Sequence, residues 1–482
     1  MSAVKRPRKR LWENWVRVPA RFLPFADAAS QDLPLARLLR LSLFQVSVGM
    51  ATALLIGTLN RVMIVELGVG AWLVSALVAL PILVAPFRAL VGWRSDTHRS
   101  VLGWRRVPFI WLGTWLQFGG LAIMPFSLIL LSGDITNGPW WIGHVSAALA
   151  FLMVGAGMQT VQTAGLALAT DIAPEDARPR VVALMYVMLL AGMVVSSAVF
   201  GFLLADFTQV RLVKVVQASA SVTMALNLIA LWKQEPRVLG QRNDATDGAG
   251  FREAWARFAG AARARRFLWA VGLGTAAFSM QDIVLEPYGA EILGLGVGAT
   301  STLTGLIAAG SLVAFALAAR RLARGGDPLR VAAAGVLAGL AAFSMVIFAE
   351  PVGSPTLFRI GVGLIGFGGG LFAVGTLTAA MALDTEGFKG LALGAWGGVQ
   401  ATCAGLAIAA GGSLRDAVSS LASRGLLGEV LSHPATGYAA VYHIELVLLF
   451  TTLIAIGPLV RAPRRGLPPS TTTKFGLPVL PG

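Results

Sequence analysis

The sequence predicts an all-α membrane protein of twelve transmembrane helices in two six-helix halves, with both termini cytoplasmic. Three observations lead there. The chain of 482 residues is 56% hydrophobic and only 13% charged, against roughly 25% charged residues in an average soluble domain. Apolar runs long enough to cross about 30 Å of hydrocarbon recur along its whole length. Its 39 Lys and Arg are also spread unevenly between alternating loops. Only Arg211, Lys214, Arg415 and Arg424 fall opposite the amino terminus, and Arg61 and Arg359 lie inside apolar runs. The basic loops face the cytoplasm by the positive-inside rule. The net charge of +15 is therefore a sign of topology and calls for no nucleic-acid partner.

Residues 1–40 form a cytoplasmic basic segment. Lys5-Arg6-Pro7-Arg8-Lys9-Arg10 is suited to anionic headgroups, and Trp12, Trp15, Phe22, Leu23 and Phe25 follow. The segment either lies along the membrane surface or is a flexible tail; it lacks the apolar core of a cleavable signal peptide. The amino-terminal half, 41–232, holds runs at 41–66, 72–92, 107–131, 140–169, 181–205 and 212–232. A central cytoplasmic loop, 233–266, follows, with apolar residues at helical spacing among arginines from Phe251 to Phe267. The carboxy-terminal half, 267–460, holds runs at 267–292, 299–319, 331–349, 356–382, 391–412 and 438–460, and a cytoplasmic tail covers 461–482. These runs are helices, since a lipid-facing backbone must satisfy its own hydrogen bonds and they are too long for barrel strands. The single cysteine, Cys403, excludes an intrachain disulfide.

The halves resemble one another. Leu67-Gly68-Val69-Gly70-Ala71 recurs as Leu295 to Ala299. Asn60-Arg61 with Glu66 is loosely matched by Gln281-Asp282 with Glu286, and Asp171 by Asp384. Duplicated halves of this kind place a cavity at their interface. Intramembrane charges are costly and are usually paired or functional. Arg61, Glu66, Asp282, Glu286 and Arg359 are accordingly candidates for a charge latch, with Arg61 pairing to Asp282 or Glu286; the alternative is snorkelling with static pairing. No nucleophile with its base, phosphate-binding loop, nucleotide fingerprint or metal-ligand cluster is present in the sequence, so the chain reads as a non-enzyme.

Between the second and third runs, Gly92, Asp96 and Gly103 with Arg105 and Arg106 resemble the loop signature of the major facilitator superfamily. The loop either latches one conformation, together with Asp171 and Asp384, or anchors the helices at the headgroups. Two departures stand out. The spacing from Asp96 to Gly103 is longer than the usual motif, and the fourth run, at Met158 to Gly165, lacks the arginine of proton-coupled members.

More specifically, Leu41 to Met50, Gly57 to Leu67 and Ala85 to Leu90 resemble the PucC/LhaA family of light-harvesting complex assembly factors. So do Arg94 to Ser100, Gly103 to Pro108, Gln117 to Phe126 and, in the second half, Gln281 to Gly289. The resemblance implies a major-facilitator branch of purple phototrophic bacteria associated with bacteriochlorophyll delivery and antenna assembly. Implied partners are membrane lipids, antenna polypeptides, the reaction centre–antenna core complex and pigment-synthesis enzymes. The implied location is the cytoplasmic or intracytoplasmic photosynthetic membrane. Arg21 to Ala29 leans toward the core-antenna (light-harvesting 1) branch of the family.

Pigment-binding candidates are then His144 and His443, each a few residues inside a run. A neutral imidazole there either ligates the magnesium of a bacteriochlorophyll or meets headgroups. The glycine-rich tenth and eleventh runs, with Phe367, Phe372 and Trp396, form either close helix contacts or a shallow wall for a flat macrocycle. Two other readings stand beside pigment-linked assembly: an alternating-access transporter of a small lipophilic or other solute, and a scaffold that binds antenna subunits without pigment.

Overall fold

Each apolar run winds into a helix whose lipid-facing side keeps large apolar groups. Trp72, Trp111, Trp115, Phe126, Phe202, Trp269, Phe348 and Phe450 are all exposed, the inverse of a soluble surface. The computed structural model describes residues 34–83, 104–132, 139, 141–174, 177–235, 262–382 and 389–460. The first half contains α1 (Leu35–Glu66), α2 (Ala71–Leu83), α3 (Val107–Leu131), α4 (Trp141–Ile172), α5 (Arg178–Leu203) and α6 (Gln209–Leu231). The second contains α7 (Ala262–Glu291), α8 (Val297–Ala323), α9 (Pro328–Ala349), α10 (Pro355–Ala382), α11 (Lys389–Ser423) and α12 (Thr436–Ile456). Among the described residues ten helices are long and apolar enough to cross a membrane; α11 is not one of the ten, and the described part of α2 is shorter. The protein is a multi-pass membrane protein.

Two boundaries differ from the sequence reading. α1 begins at Leu35 rather than 41, because Arg37 is held: its Nε donates to Gln234 Oε1 at 3.1 Å and its Nη2 to the Gln234 carbonyl at 2.8 Å. Arginines at a helix end reach the polar layer while their stems stay apolar. α11 continues to Ser423, past the expected stop near 412, and carries Arg415 and Asp416 beyond the apolar run.

The internal repeat is offset in three dimensions. α1 and α7 both stop at a glycine in the left-handed region, Gly68 (φ +64°) and Gly294 (φ +65°). The following amide closes the same loop back in each case, Val69 N–H to Met63 O and Leu295 N–H to Gly289 O, both at 2.9 Å. Each bond reaches six residues back, one further than in a Schellman stop. Gly68 thus corresponds to Gly294, and the identical pentapeptides lie two residues out of register with the helix ends.

The two long helices are also deformed at the same depth. α1 is wound wide, as a π-helix, over Ala53–Leu59 and again over Val62–Glu66. α7 tightens to a 3₁₀ turn over Met280–Ile283 before resuming at Leu285. Such breaks free backbone groups and recur at functional positions. We call the side where α1 and α7 end distal. α12 returns to the proximal side, where Arg266 near the start of α7 donates to Ala455 O at 3.1 Å.

Candidate functional site

The two halves meet at the distal side. Among the described residues, the hydrogen bonds joining them lie there at two places, α1 against α7 and α8, and α2 against α11, and a third place is a glycine contact. At the first, Asn60 Nδ2 of α1 donates to the carbonyls of Asp282 and Ile283 at 3.0 and 3.1 Å, using acceptors exposed by the 3₁₀ turn. Two residues earlier on α1, the Thr58 hydroxyl donates to the Ser301 hydroxyl of α8 at 3.2 Å. At the second, Asp416 of α11 accepts the Trp72 amide at 2.8 Å and so caps the start of α2. Ser75 reaches Ala409 O at 3.3 Å.

The third pairing is α5 with α8, where Gly201 and Gly298 abut. A Cβ on Gly201 would sit 2.8 Å from Gly298 O, and one on Gly298 would sit 2.9 Å from Ala205 Cα. Small residues allow this backbone-to-backbone approach. All of these contacts lie at the distal end, where the described helices of the two halves close on one another.

Behind this closure lies a belt of charge and aromatic rings in the second half. Arg415 Nη2 donates to Glu291 Oε2 at 2.6 Å and to Tyr438 Oη at 2.8 Å, and its guanidinium lies 4.7 Å over the Tyr438 ring. Tyr438 in turn donates to Glu291 at 2.7 Å. From there rings run inward: Tyr438 to Tyr288 at 5.5 Å, Tyr288 to Tyr442 at 5.5 Å, Tyr442 to Phe343 at 6.4 Å, Phe343 to Phe278 at 6.3 Å and Phe278 to Phe372 at 5.9 Å. The sequence reading missed Asp416, Tyr438 and Glu445, the last wholly buried in α12. A lone glutamate in the middle of the twelfth apolar run was the available signal.

The charge-latch candidates separate on inspection. Arg61 forms its ion pair with Glu66 of its own helix, which the wide winding of α1 brings back over it. The expected partners, Asp282 and Glu286, are engaged elsewhere. Glu286 is 3% exposed and accepts the Thr304 hydroxyl at 2.6 Å, and Asp282 accepts from the Gln281 side chain. Arg359 is exposed near the distal end of α10, away from this group. Asn60, an uncharged neighbour, makes the contact between halves.

On the proximal side, Arg106 Nε meets Asp171 Oδ2 at 3.0 Å, tying α3 to α4 within the first half. The amides of Arg105, Arg106 and Val107 donate to the Glu235 carboxylate at 2.7–3.1 Å. Glu235, just past α6, thereby caps α3, a role that its assignment to the central loop concealed. Gly92, Asp96, Gly103 and Asp384 lie outside the described residues, as does most of the amphipathic stretch from Phe251.

The pigment candidates also part. Phe372 is buried against Gly274 and Phe278, so it is core and presents no wall. Phe367 is half-buried on a small cluster with Ala314 and Leu371. Most of the α10 glycines are helix contacts: a Cβ on Gly368 would stand 2.7 Å from Gly335 O, and one on Gly370 would stand 2.9 Å from Ala314 Cβ. Gly363, Gly397 and Gly398 have open space beside them. Trp396 is half-buried and donates to Thr376 Oγ1 at 3.2 Å. His144 is half-buried in α4. His443 is exposed, with Nδ1 2.7 Å from Ala439 O one turn back.

The family profile described as PUCC protein matches residues 58–463. The chain belongs to the PucC family. It is 57% identical over 406 residues to Protein PucC of Rhodovulum sulfidophilum, covering 83% of this chain and 89% of that one. It is 56% identical over 441 residues, 91% and 92% of the two chains, to an uncharacterized Rhodobacter capsulatus protein of the puhA-bchM intergenic region. A solved POT family transporter with a bound thioalcohol-conjugated peptide aligns over 90% of this chain and 99% of its own, with a TM-score of 0.65 and 13% identity. That likeness is one of fold, and this PucC family member has the major facilitator architecture.

Proposed function

We propose that this family member is a non-enzymatic assembly factor for the bacterial light-harvesting antenna, the core light-harvesting 1 antenna in particular. It acts in the photosynthetic membrane by holding bacteriochlorophyll, nascent antenna polypeptides or both. PucC membership supports the antenna context. The observation that carries the pigment part is the setting of His443. A backbone carbonyl can only accept, so the contact with Ala439 O fixes the proton on Nδ1 and leaves the Nε2 lone pair free. Val447, Phe450 and Ile454 continue the exposed face of α12 one, two and three turns along. An outward imidazole lone pair above an apolar strip suits a magnesium-centred, lipid-soluble ring. Phe372, buried in the core, does not fit that role.

The test is absorption spectroscopy and mass spectrometry of the protein purified in mild detergent, beside His443→Leu. The wild type is expected to carry bacteriochlorophyll and antenna polypeptides, and the variant to lose most of the pigment. Pigment retained in full by the variant refutes the His443 assignment. A deletion strain with normal antenna refutes the assembly role. A second reading, alternating-access transport of a lipophilic solute, is favoured by the one-ended closure of the halves. It predicts saturable flux in proteoliposomes without antenna polypeptides.

A further inference from the structure

A buried carboxyl group sits inside the distal closure without a cation bonded to it. Glu286 of α7 faces α1 and α8 where the halves touch. Its Oε1 accepts the Thr304 hydroxyl at 2.6 Å, and Gly57 of α1 is packed so closely that a Cβ there would lie 2.8 Å from that oxygen. Its Oε2 is buried and meets no donor among the described residues. The charged groups around it are known from each side. Arg61 of α1 is within electrostatic reach but is bonded to Glu66. Asp282, one turn back on α7, adds a like charge. Asp282 in turn lies near Glu445 of α12, which is also fully buried and has the Gln281 backbone as its nearest donor. From α8 the neutral Thr304 faces it, its hydroxyl bonded to Oε1 and its backbone amide within reach.

An ionised carboxylate buried beside a second one, with its nearest guanidinium committed elsewhere, is unfavourable in a medium of low dielectric constant. A proton on Oε2 removes that conflict. A proton is the smallest cation that neutralises the buried Oε2, and sodium is tested against it below.

We propose that Glu286 is a proton-binding site built into the distal closure: it carries a proton while α1 packs against α7 and α8, and loses it to water when they part. The sign follows directly. Acid favours the closed state, and alkali favours opening. If one proton is released on opening, the open-to-closed ratio rises about tenfold per pH unit within the window where only the open form has lost it.

The experiment is double electron–electron resonance on the full chain in lipid nanodiscs, with Cys403→Ser and spin labels at Val210→Cys and Val352→Cys. Both positions are exposed and lie in opposite halves. The long-distance population is expected to grow as pH rises from 5 to 9. Glu286→Gln, permanently neutral, is expected to stay closed throughout. Thr304→Val removes a hydrogen bond that favours the charged carboxylate, and shifts the midpoint to higher pH. A wild type indifferent to pH overturns the proposal, as does a Glu286→Gln variant that opens with pH as the wild type does. An unshifted midpoint in Thr304→Val, should the glutamine variant not fold, does the same. Opening driven by sodium at fixed pH and abolished by Glu286→Gln replaces the proton by a metal cation and also overturns it.

Discussion

Replacing Gly298 by alanine perturbs the distal closure where it has least room to adjust. The added methyl would meet backbone: the Ala205 Cα at 2.9 Å, with the Gly201 strand of α5 alongside. No flexible side chain can swing aside, so the helices must separate by several tenths of an ångström. Overpacking of this kind costs about 1–3 kcal/mol. Because α5 and α8 belong to different halves, the penalty falls on the closed state and is relieved when they part. A differential of that size shifts the closed-to-open ratio roughly 5- to 150-fold. The assay is the label pair described above at fixed pH, or alkylation of a single distal cysteine. Gly363→Ala is the internal control, since nothing lies within 4 Å of its Cβ position. A Gly298→Ala protein with an unchanged distance distribution refutes the reading of Gly201 and Gly298 as a gate contact.

Two further outcomes are expected. Reversing Arg61 and Glu66 together (Arg61→Glu with Glu66→Arg) should recover stability lost in either single variant, about 2–3 kcal/mol, below the range for a fully buried pair because the Glu66 side chain is 33% exposed. The reversal of Arg61 with Asp282 should recover none of it in the closed state; rescue there, read by thermal unfolding in detergent, refutes the assigned pairing. Glu235→Ala should cost about 1–2 kcal/mol by uncapping α3, with Glu235→Gln less affected; equal melting of all three proteins refutes the cap.

Much of the architecture was legible because lipid enforces it. Apolar length sets where membrane helices fall, and ten of the apolar runs are spans among the described residues. Contacts between helices were not legible in the same way. Arg61 drew attention as an intramembrane charge, yet which of three carboxylates it meets depends on how α1 is wound, and nothing in Val62 to Glu66 announces a π-turn. The tenth run reads equally as a packing seam or a macrocycle wall; only the approach of Gly368 to Gly335 decides for packing. Glu445 and Tyr438 were visible as single polar letters in an apolar run, but their place beside Asp282 and Arg415 is a property of three helices at once.

The paired deformations of α1 and α7 suit the two-state closure proposed above to a weakly ionic interface. A straight α7 would keep the Asp282 and Ile283 carbonyls within its own ladder, leaving Asn60 without acceptors. The 3₁₀ turn releases them, and the wide winding of α1 folds Glu66 onto Arg61, so that the side chain crossing the interface is the neutral amide. The hydrogen bonds across it, made by Thr58, Asn60, Trp72 and Ser75, contribute about 1 kcal/mol each. A single proton changes the balance by about 1.4 kcal/mol per pH unit, comparable to any one of them. An interface held instead by buried ion pairs between the halves would need a far larger perturbation to open.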